Sequence, residues 1–184
     1  MTFRIRFETT QGDVIVEVHP DWAPEGAERL RELVEAGYFD GARFFRVLDD
    51  FVVQFGIAAD PKISAKWRGR SIPDDSVEAS NTRGTLTFAT SGPNTRTTQL
   101  FINLRDNTRL DSMGFAPVGK VVEGMDVIDR LYSDYGEGPP QGKGPRQDRI
   151  HTEGEVYLAR EFPKLDRIDR ATMVEGESAG TSGV

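Results

Sequence analysis

From its first residues the chain alternates apolar and charged positions, with Phe3, Ile5 and Phe7 set against Arg4, Arg6 and Glu8. That is the period of a half-buried strand. Thr10-Gln11-Gly12-Asp13 reads as a turn and Val14 to Val18 as the returning strand. Pro24 then opens a helical stretch with Ala27, Leu30, Leu33 and Val34 on one face, and Gly37 closes it. Two apolar runs follow, Phe44 to Leu48 and Phe51 to Phe55, parted by Asp49-Asp50. Their Phe and Val content and polar break predict neighbouring strands joined by a tight turn. Further strands are expected at Gly84 to Thr90, Leu100 to Leu104, Ala116 to Val122 and Arg149 to Leu158, and a second short helix at Gly124 to Tyr132. About eight strands and two helices, in no regular alternation, point to an all-β antiparallel barrel or sandwich.

The polar stretches between these elements divide the chain. Ala58 to Asn81 carries basic Lys62, Lys66, Arg68 and Arg70 ahead of acidic Asp74, Asp75 and Glu78. It reads as an elaborated surface loop with Trp67 as its anchor. Gly136 to Gly144 (GEGPPQGKG) is rich in proline and glycine, but a glycine follows the lysine where a P-loop needs serine or threonine. It is not a phosphate cradle. From about Lys164 onward apolar content falls, which predicts a folded domain over 1–163 and a polar, flexible tail over 164–184.

A length of 184 residues with 37% hydrophobic and 29% charged residues suits one soluble domain with a sizeable core. The net charge of -7 argues against a general nucleic-acid binder, which needs a basic surface. There is no cysteine, so disulfides, thiol catalysis and cysteine-based zinc sites are excluded. The N-terminal MTFRIRFETT has no apolar core of a signal peptide, and no run of about 18 apolar residues exists to span a membrane. A cytoplasmic protein is expected.

Ordinary catalytic constellations are missing. The two histidines, His19 and His151, sit in strand-like contexts, no metal-ligand pair has helical spacing, and there is no Gly-x-Ser-x-Gly elbow. What stands out is Arg46 inside one apolar run and Gln54 inside the next. A guanidinium keeps its charge and is seldom buried unpaired, so Arg46 faces either a rim or a cleft.

Taken together, FFRVLDDFVVQFG (Phe44 to Gly56) and GTLTFATSGPNTRTTQLFINL (Gly84 to Leu104) resemble the two signature regions of the cyclophilin-type peptidyl-prolyl isomerases. The resemblance runs in order and spacing to about Phe162, and includes GKVVEGMDVIDRL and a bacterial-like C-terminal region. It implies a closed eight-stranded antiparallel β-barrel capped by two helices, and an enzyme that accelerates rotation about X-Pro bonds to assist folding. It makes Arg46 the catalytic arginine and Gln54 its polar neighbour. Phe51, Val52, Phe101, Leu110 and Phe115 fall at positions lining the proline pocket, Gln99 and Ala89 along the peptide groove, and Thr90 where the family often holds substrate backbone with asparagine. Neither cofactor nor metal has a role. The implied partners are proline-containing peptides and folding proteins, met by a monomer without nucleic acid or membrane. The chain departs from the family at Val52 (often methionine), Phe115 (histidine), Asp49-Asp50 (Pro-Gly) and Arg109, where a tryptophan commonly contacts cyclosporin. Those departures leave a second reading, a proline-peptide-binding or chaperone-like module with little turnover.

Overall fold

The alternation at the N-terminus becomes strand β1 (Phe3–Thr9), with Ile5, Phe7 and Thr9 buried and the charged residues between them facing outward. It pairs antiparallel with β2 (Gly12–Val18), Phe3 opposite Val18 and Thr9 opposite Gly12. The computed structural model describes residues 1–174. Over these residues β3 (Arg46–Leu48), β4 (Val52–Phe55), β5 (Thr85–Phe88), β6 (Leu100–Asn103), β7 (Pro117–Glu123) and β8 (Ile168–Met173) complete one antiparallel sheet. The strand order is β3-β4-β6-β5-β7-β2-β1-β8. Its concave face holds the main core, where Ile5, Phe7, Val16, Phe55, Leu86, Phe88, Leu100 and Val118 pack together. Helix α1 (Pro24–Glu35) adds Leu30 and Leu33 to that core. Phe3 and Val121 pack at its margin.

The sheet is open and curled, not the closed barrel expected from the sequence. Its end strands β3 and β8 do not pair as strands. They meet only just before β3, through the bridge Arg43–Arg167 and the bonds Gly41 N–H to Ile168 O (2.7 Å) and Phe44 N–H to Asp166 O (2.9 Å). The seam is covered instead by side chains, a second core of Phe45, Ile57, Ile150, Tyr157, Leu158, Phe162 and Leu165.

Three stretches depart from the sequence reading. The surface loop at 58–81 contains helix α2 (Pro61–Arg68), started by an Asp60 cap on Lys62 N–H at 2.8 Å and by Pro61 in the first turn. Trp67 is its buried anchor, over which Arg70 stacks at 4.3 Å. The expected strand over 149–158 is two helices, α4 (Gln147–Glu153) and α5 (Glu155–Glu161), with α3 (Met125–Asp129) before them. Ile150, Val156 and Leu158 match a two-residue period by coincidence, for Val156 is 69% exposed while Ile150 and Leu158 are buried. Gly154 breaks the two helices at φ +62, and a side chain there would strike the Ala59 carbonyl. The eighth strand lies inside the stretch read as a tail: β8 pairs with β1, Phe7 opposite Ala171. Only its first and fourth residues, Ile168 and Ala171, are buried, so its polarity concealed it. The rest of the expected tail, 175–184, lies outside the described residues.

Candidate active site

The outer face of the same sheet builds the site. Because strand side chains alternate, the residues between the core-facing Val47, Val53, Phe55, Leu100 and Ile102 point outward. Strand register then sets Arg46 opposite Gln54 and Gln54 opposite Phe101, one rung across three strands. Beside this rung a separate apolar cluster forms from Val52, Phe101 and Leu110, with Phe51, Ala89 and Phe115 packed on it. Phe101 and Phe115 meet edge to face at 5.6 Å. The result is a cleft of about 450 Å³ whose lining includes Arg46, Phe51, Val52, Gln54, Ala89, Thr90, Phe101, Leu110 and Phe115. Gln99, the remaining residue singled out in the sequence, lines an adjoining hollow of about 220 Å³ that shares Gln54, Ala89 and Thr90 with the cleft. All ten positions therefore converge.

Buried amides fix the aromatic walls. Asn107 Nδ2 donates to the Phe51 carbonyl at 3.0 Å, and Asn81 Nδ2 to the Phe115 carbonyl at 2.9 Å. Asn81 is in turn held by Asp111, whose Oδ1 accepts from its backbone N–H (2.9 Å) and its Nδ2 (2.8 Å). Burial opposes ionisation of Asp111, but the hydrogen bonds from Ser80 and Asn81 outweigh it and hold the carboxyl below its ordinary range. The 3-10 turn Thr108–Met113 that carries Leu110 is thereby tied to the sheet. Buried polar groups paired in this way rigidify what they touch.

A row of polar side chains runs along the cleft. Arg46 Nη1 donates to Gln54 Oε1 (2.8 Å), Gln54 Nε2 to Gln99 Oε1 (2.8 Å), and Gln99 Nε2 to Gln147 Oε1 (3.2 Å). On its other edge Arg46 grips Glu137 through two parallel bonds, Nε to Oε1 at 2.8 Å and Nη2 to Oε2 at 2.6 Å. Those bonds, helped by the Gly138 N–H, hold the Glu137 carboxyl below its usual range although burial opposes them. A guanidinium has five N–H groups. Three are engaged here, leaving one on each terminal nitrogen. Thr90 is partly committed elsewhere, its hydroxyl bonding the Gly92 carbonyl at 2.5 Å.

Glu137 and Gln147 were not found from the sequence. Glu137 lies 91 residues from Arg46, inside the proline- and glycine-rich loop that lacks a P-loop's serine or threonine, and no spacing rule links the two. Arg109 and Met113 also line the cleft. Arg109 stands over the Phe51 ring at 5.4 Å. Neither histidine lines it. Its ionisable members are the arginines, which suits binding and charge stabilisation and offers no acid–base pair.

Residues 4–154 match the model of the cyclophilin type peptidyl-prolyl cis-trans isomerase family. A peptidyl-prolyl cis-trans isomerase of Acinetobacter baylyi is 33% identical over 133 residues, covering 69% of this chain and 70% of the relative. Peptidyl-prolyl cis-trans isomerase B of Escherichia coli is 32% identical over 136 residues, covering 69% and 82%. Among solved structures, a cyclophilin type isomerase of Cryptosporidium parvum superposes with a TM-score of 0.68 at 22% identity, over 95% of this chain and 99% of that one.

Proposed function

From its place in the cyclophilin-type peptidyl-prolyl cis-trans isomerase family, to which this chain belongs, we propose that it turns X-Pro bonds in the Arg46 cleft, with Arg46 as the catalytic donor. The protein is a peptidyl-prolyl cis-trans isomerase. The observation that carries the residue-level reading is a guanidinium with two free N–H groups, held at the mouth of an aromatic pocket that contains no acid–base pair.

The reaction asks for little else. Rotation about X-Pro is slow because amide resonance must be broken, a barrier of about 20 kcal/mol. Phe51, Phe101, Leu110 and Phe115 form a recess for the pyrrolidine ring while the acyl side turns. As the bond twists, the prolyl nitrogen regains its lone pair and becomes an acceptor. A fixed N–H of Arg46 can bond it only then, so the interaction favours the transition state over either ground state. The aromatic walls keep water from that bond and lower the local dielectric, which strengthens it. No proton is transferred and no covalent intermediate forms. Gln54 holds the guanidinium in register, Gln99 and Ala89 line the path of the peptide, and Val52 closes the pocket floor. Thr90 offers the substrate its backbone more readily than its engaged hydroxyl.

A proline-containing occupant is supported by the Cryptosporidium parvum isomerase described in the presence of the dipeptide Ala-Pro, at a TM-score of 0.66 over 94% of this chain and 99% of that one. A monomer located in the cytoplasm belongs to the same proposal, with sedimentation and cell fractionation as its readouts. Among the described residues no helix is long and apolar enough to cross a membrane.

The test is turnover of a short X-Pro peptide. Arg46→Ala is expected to keep its fold and lose roughly a hundredfold or more in kcat/KM, the scale of losing one preorganised donor. Arg46→Lys should recover little, because a point charge does not reproduce the planar fork. Near-normal turnover in folded Arg46→Ala would remove the arginine from the mechanism.

A further inference from the structure

We propose that Glu137 is a positioning residue for the isomerisation, fixing the Arg46 guanidinium from the edge opposite Gln54 so that one N–H on each terminal nitrogen stays available to the twisting amide. This rests on the reading of Arg46 as the catalytic donor.

The geometry carries it. Gln54 alone would hold the guanidinium by a single bond at Nη1 and leave it free to swing about that contact. The paired bonds from Nε and Nη2 to the two carboxylate oxygens fix both the plane and its rotation, since a planar fork meeting a planar carboxylate has one good arrangement. The two partners together engage Nε, Nη1 and Nη2 once each and leave one N–H on each terminal nitrogen. Glu137 is partly shielded, its side chain 33% exposed, and Arg46 is 25% exposed. The pair therefore sits between the extremes of a solvated surface contact and a buried ion pair.

The loop is also built around this carboxylate, which gives the GEGPPQGKG stretch a purpose its sequence did not reveal. Gly138 N–H donates to Glu137 Oε1 at 2.9 Å, and Gly144 N–H to the Glu137 carbonyl at 2.8 Å. A side chain at Gly142 would collide with that same carbonyl oxygen, and one at Gly144 would lie 3.0 Å from it and 2.7 Å from the Gly136 carbonyl. The glycines let the backbone fold tightly over residue 137 and aim its carboxylate at the strand. Arg46 and Glu137 also line a second hollow of about 510 Å³, shared with Gly138, Pro139, Pro140 and Pro145 of the loop, so removing the carboxylate would leave the arginine room to turn into it and away from the substrate. Because Arg46 holds the Glu137 carboxyl below its usual range, the pair is intact at neutral pH and is lost only as the medium becomes more acidic than that range.

The experiment is a double-mutant cycle on the full chain, with turnover of an X-Pro peptide followed by NMR exchange so that no coupling protease limits the pH. Glu137→Ala should lower kcat roughly ten- to hundredfold, as misplacement of a reacting group does, while KM stays within about twofold. Glu137→Gln, which keeps the shape and one acceptor oxygen, should recover part of the loss and serves as the folded variant should the alanine unfold the loop. In an Arg46→Ala background Glu137→Ala should change nothing further. Below pH 4.5, the ordinary value for the group, the unmodified protein should lose kcat and Glu137→Gln should not. Normal kcat in Glu137→Ala, or an equal loss with and without Arg46, would overturn the positioning role and leave the arginine reading standing. Full turnover in Arg46→Ala would overturn both.

Discussion

Arg43 and Arg46 lie three residues apart, and each grips a carboxylate from the C-terminal region with two or more hydrogen bonds. Arg43 bonds Glu155 from Nε (2.9 Å) and Nη2 (2.5 Å), much as Arg46 bonds Glu137. They differ at the other end of the guanidinium. Arg43 Nη1 donates to the carbonyls of Pro163 (3.1 Å) and Leu165 (2.8 Å), so four of its five N–H groups are engaged and its side chain is 7% exposed. Arg46 meets Gln54 there and is 25% exposed, with a cleft beside it. A carboxylate partner therefore does not distinguish the arginine of the seam from the one proposed as the catalytic donor. The distinction lies in which donors remain and what they face. Arg43 closes the seam between β3 and β8 where the sheet itself does not, whereas Arg46 borders the pocket.

The largest effect on stability is expected at the seam. Arg43→Ala would strand two backbone carbonyls and a partly buried carboxylate, at a cost of about 3 kcal/mol. Urea unfolding would report it, while turnover per folded molecule should hardly change. A loss below about 1 kcal/mol would demote Arg43 to an ordinary surface pair.

A smaller, pH-dependent effect is expected where the seam helices meet α2. His151 Nδ1 lies 2.7 Å from Ser64 Oγ, and burial, with the nearby Arg68 charge, lowers its pKa from 6.5 to about 4. The folded protein thus keeps the ring neutral while the unfolded chain takes up a proton below 6.5. Its contribution to stability is complete above pH 6.5 and lost as pH falls from 6.5 toward 4. His151→Asn, which can still accept from Ser64, should show a shallower fall in Tm over that window. An unchanged slope would mean that the ring titrates freely.

The smallest effect on turnover is expected at the pocket rim. Arg109, over Phe51, stands where the family resemblance places a cyclosporin-binding tryptophan. Arg109→Trp should tighten cyclosporin binding by about tenfold or more while leaving peptide turnover within about twofold, since an aromatic anchor is worth a few kcal/mol to a large ligand. Nanomolar inhibition of the unmodified protein would refute the argument.

Strand periodicity marked only Arg46 and Gln54 of the candidate site, as polar interruptions of apolar runs; the other eight positions came from the family resemblance. Arg46, Gln54 and Phe101 interrupt or join apolar runs, and register alone brings them together. The sheet was legible from the same periodicity, except at β8, which buries two of its six residues. Helix α2 was hidden because only Ser64 and Trp67 are buried in it, too narrow a stripe to mark a helical period. Helices α4 and α5 were misread because Gly154 resets the phase between them. Glu137 was invisible for a different cause. Its partner is reached through tertiary folding of a glycine-rich loop, and no local pattern encodes which carboxylate such a loop will present.

The central claim is that two similar arginines have separate duties, and one paired measurement tests it most directly: kcat/KM for an X-Pro peptide in Arg43→Ala and Arg46→Ala, at a temperature where melting curves show both folded. The expected result is a loss of roughly a hundredfold or more for Arg46→Ala and near-normal turnover for Arg43→Ala. Equal losses in the two variants, or a larger loss for Arg43→Ala, would contradict it.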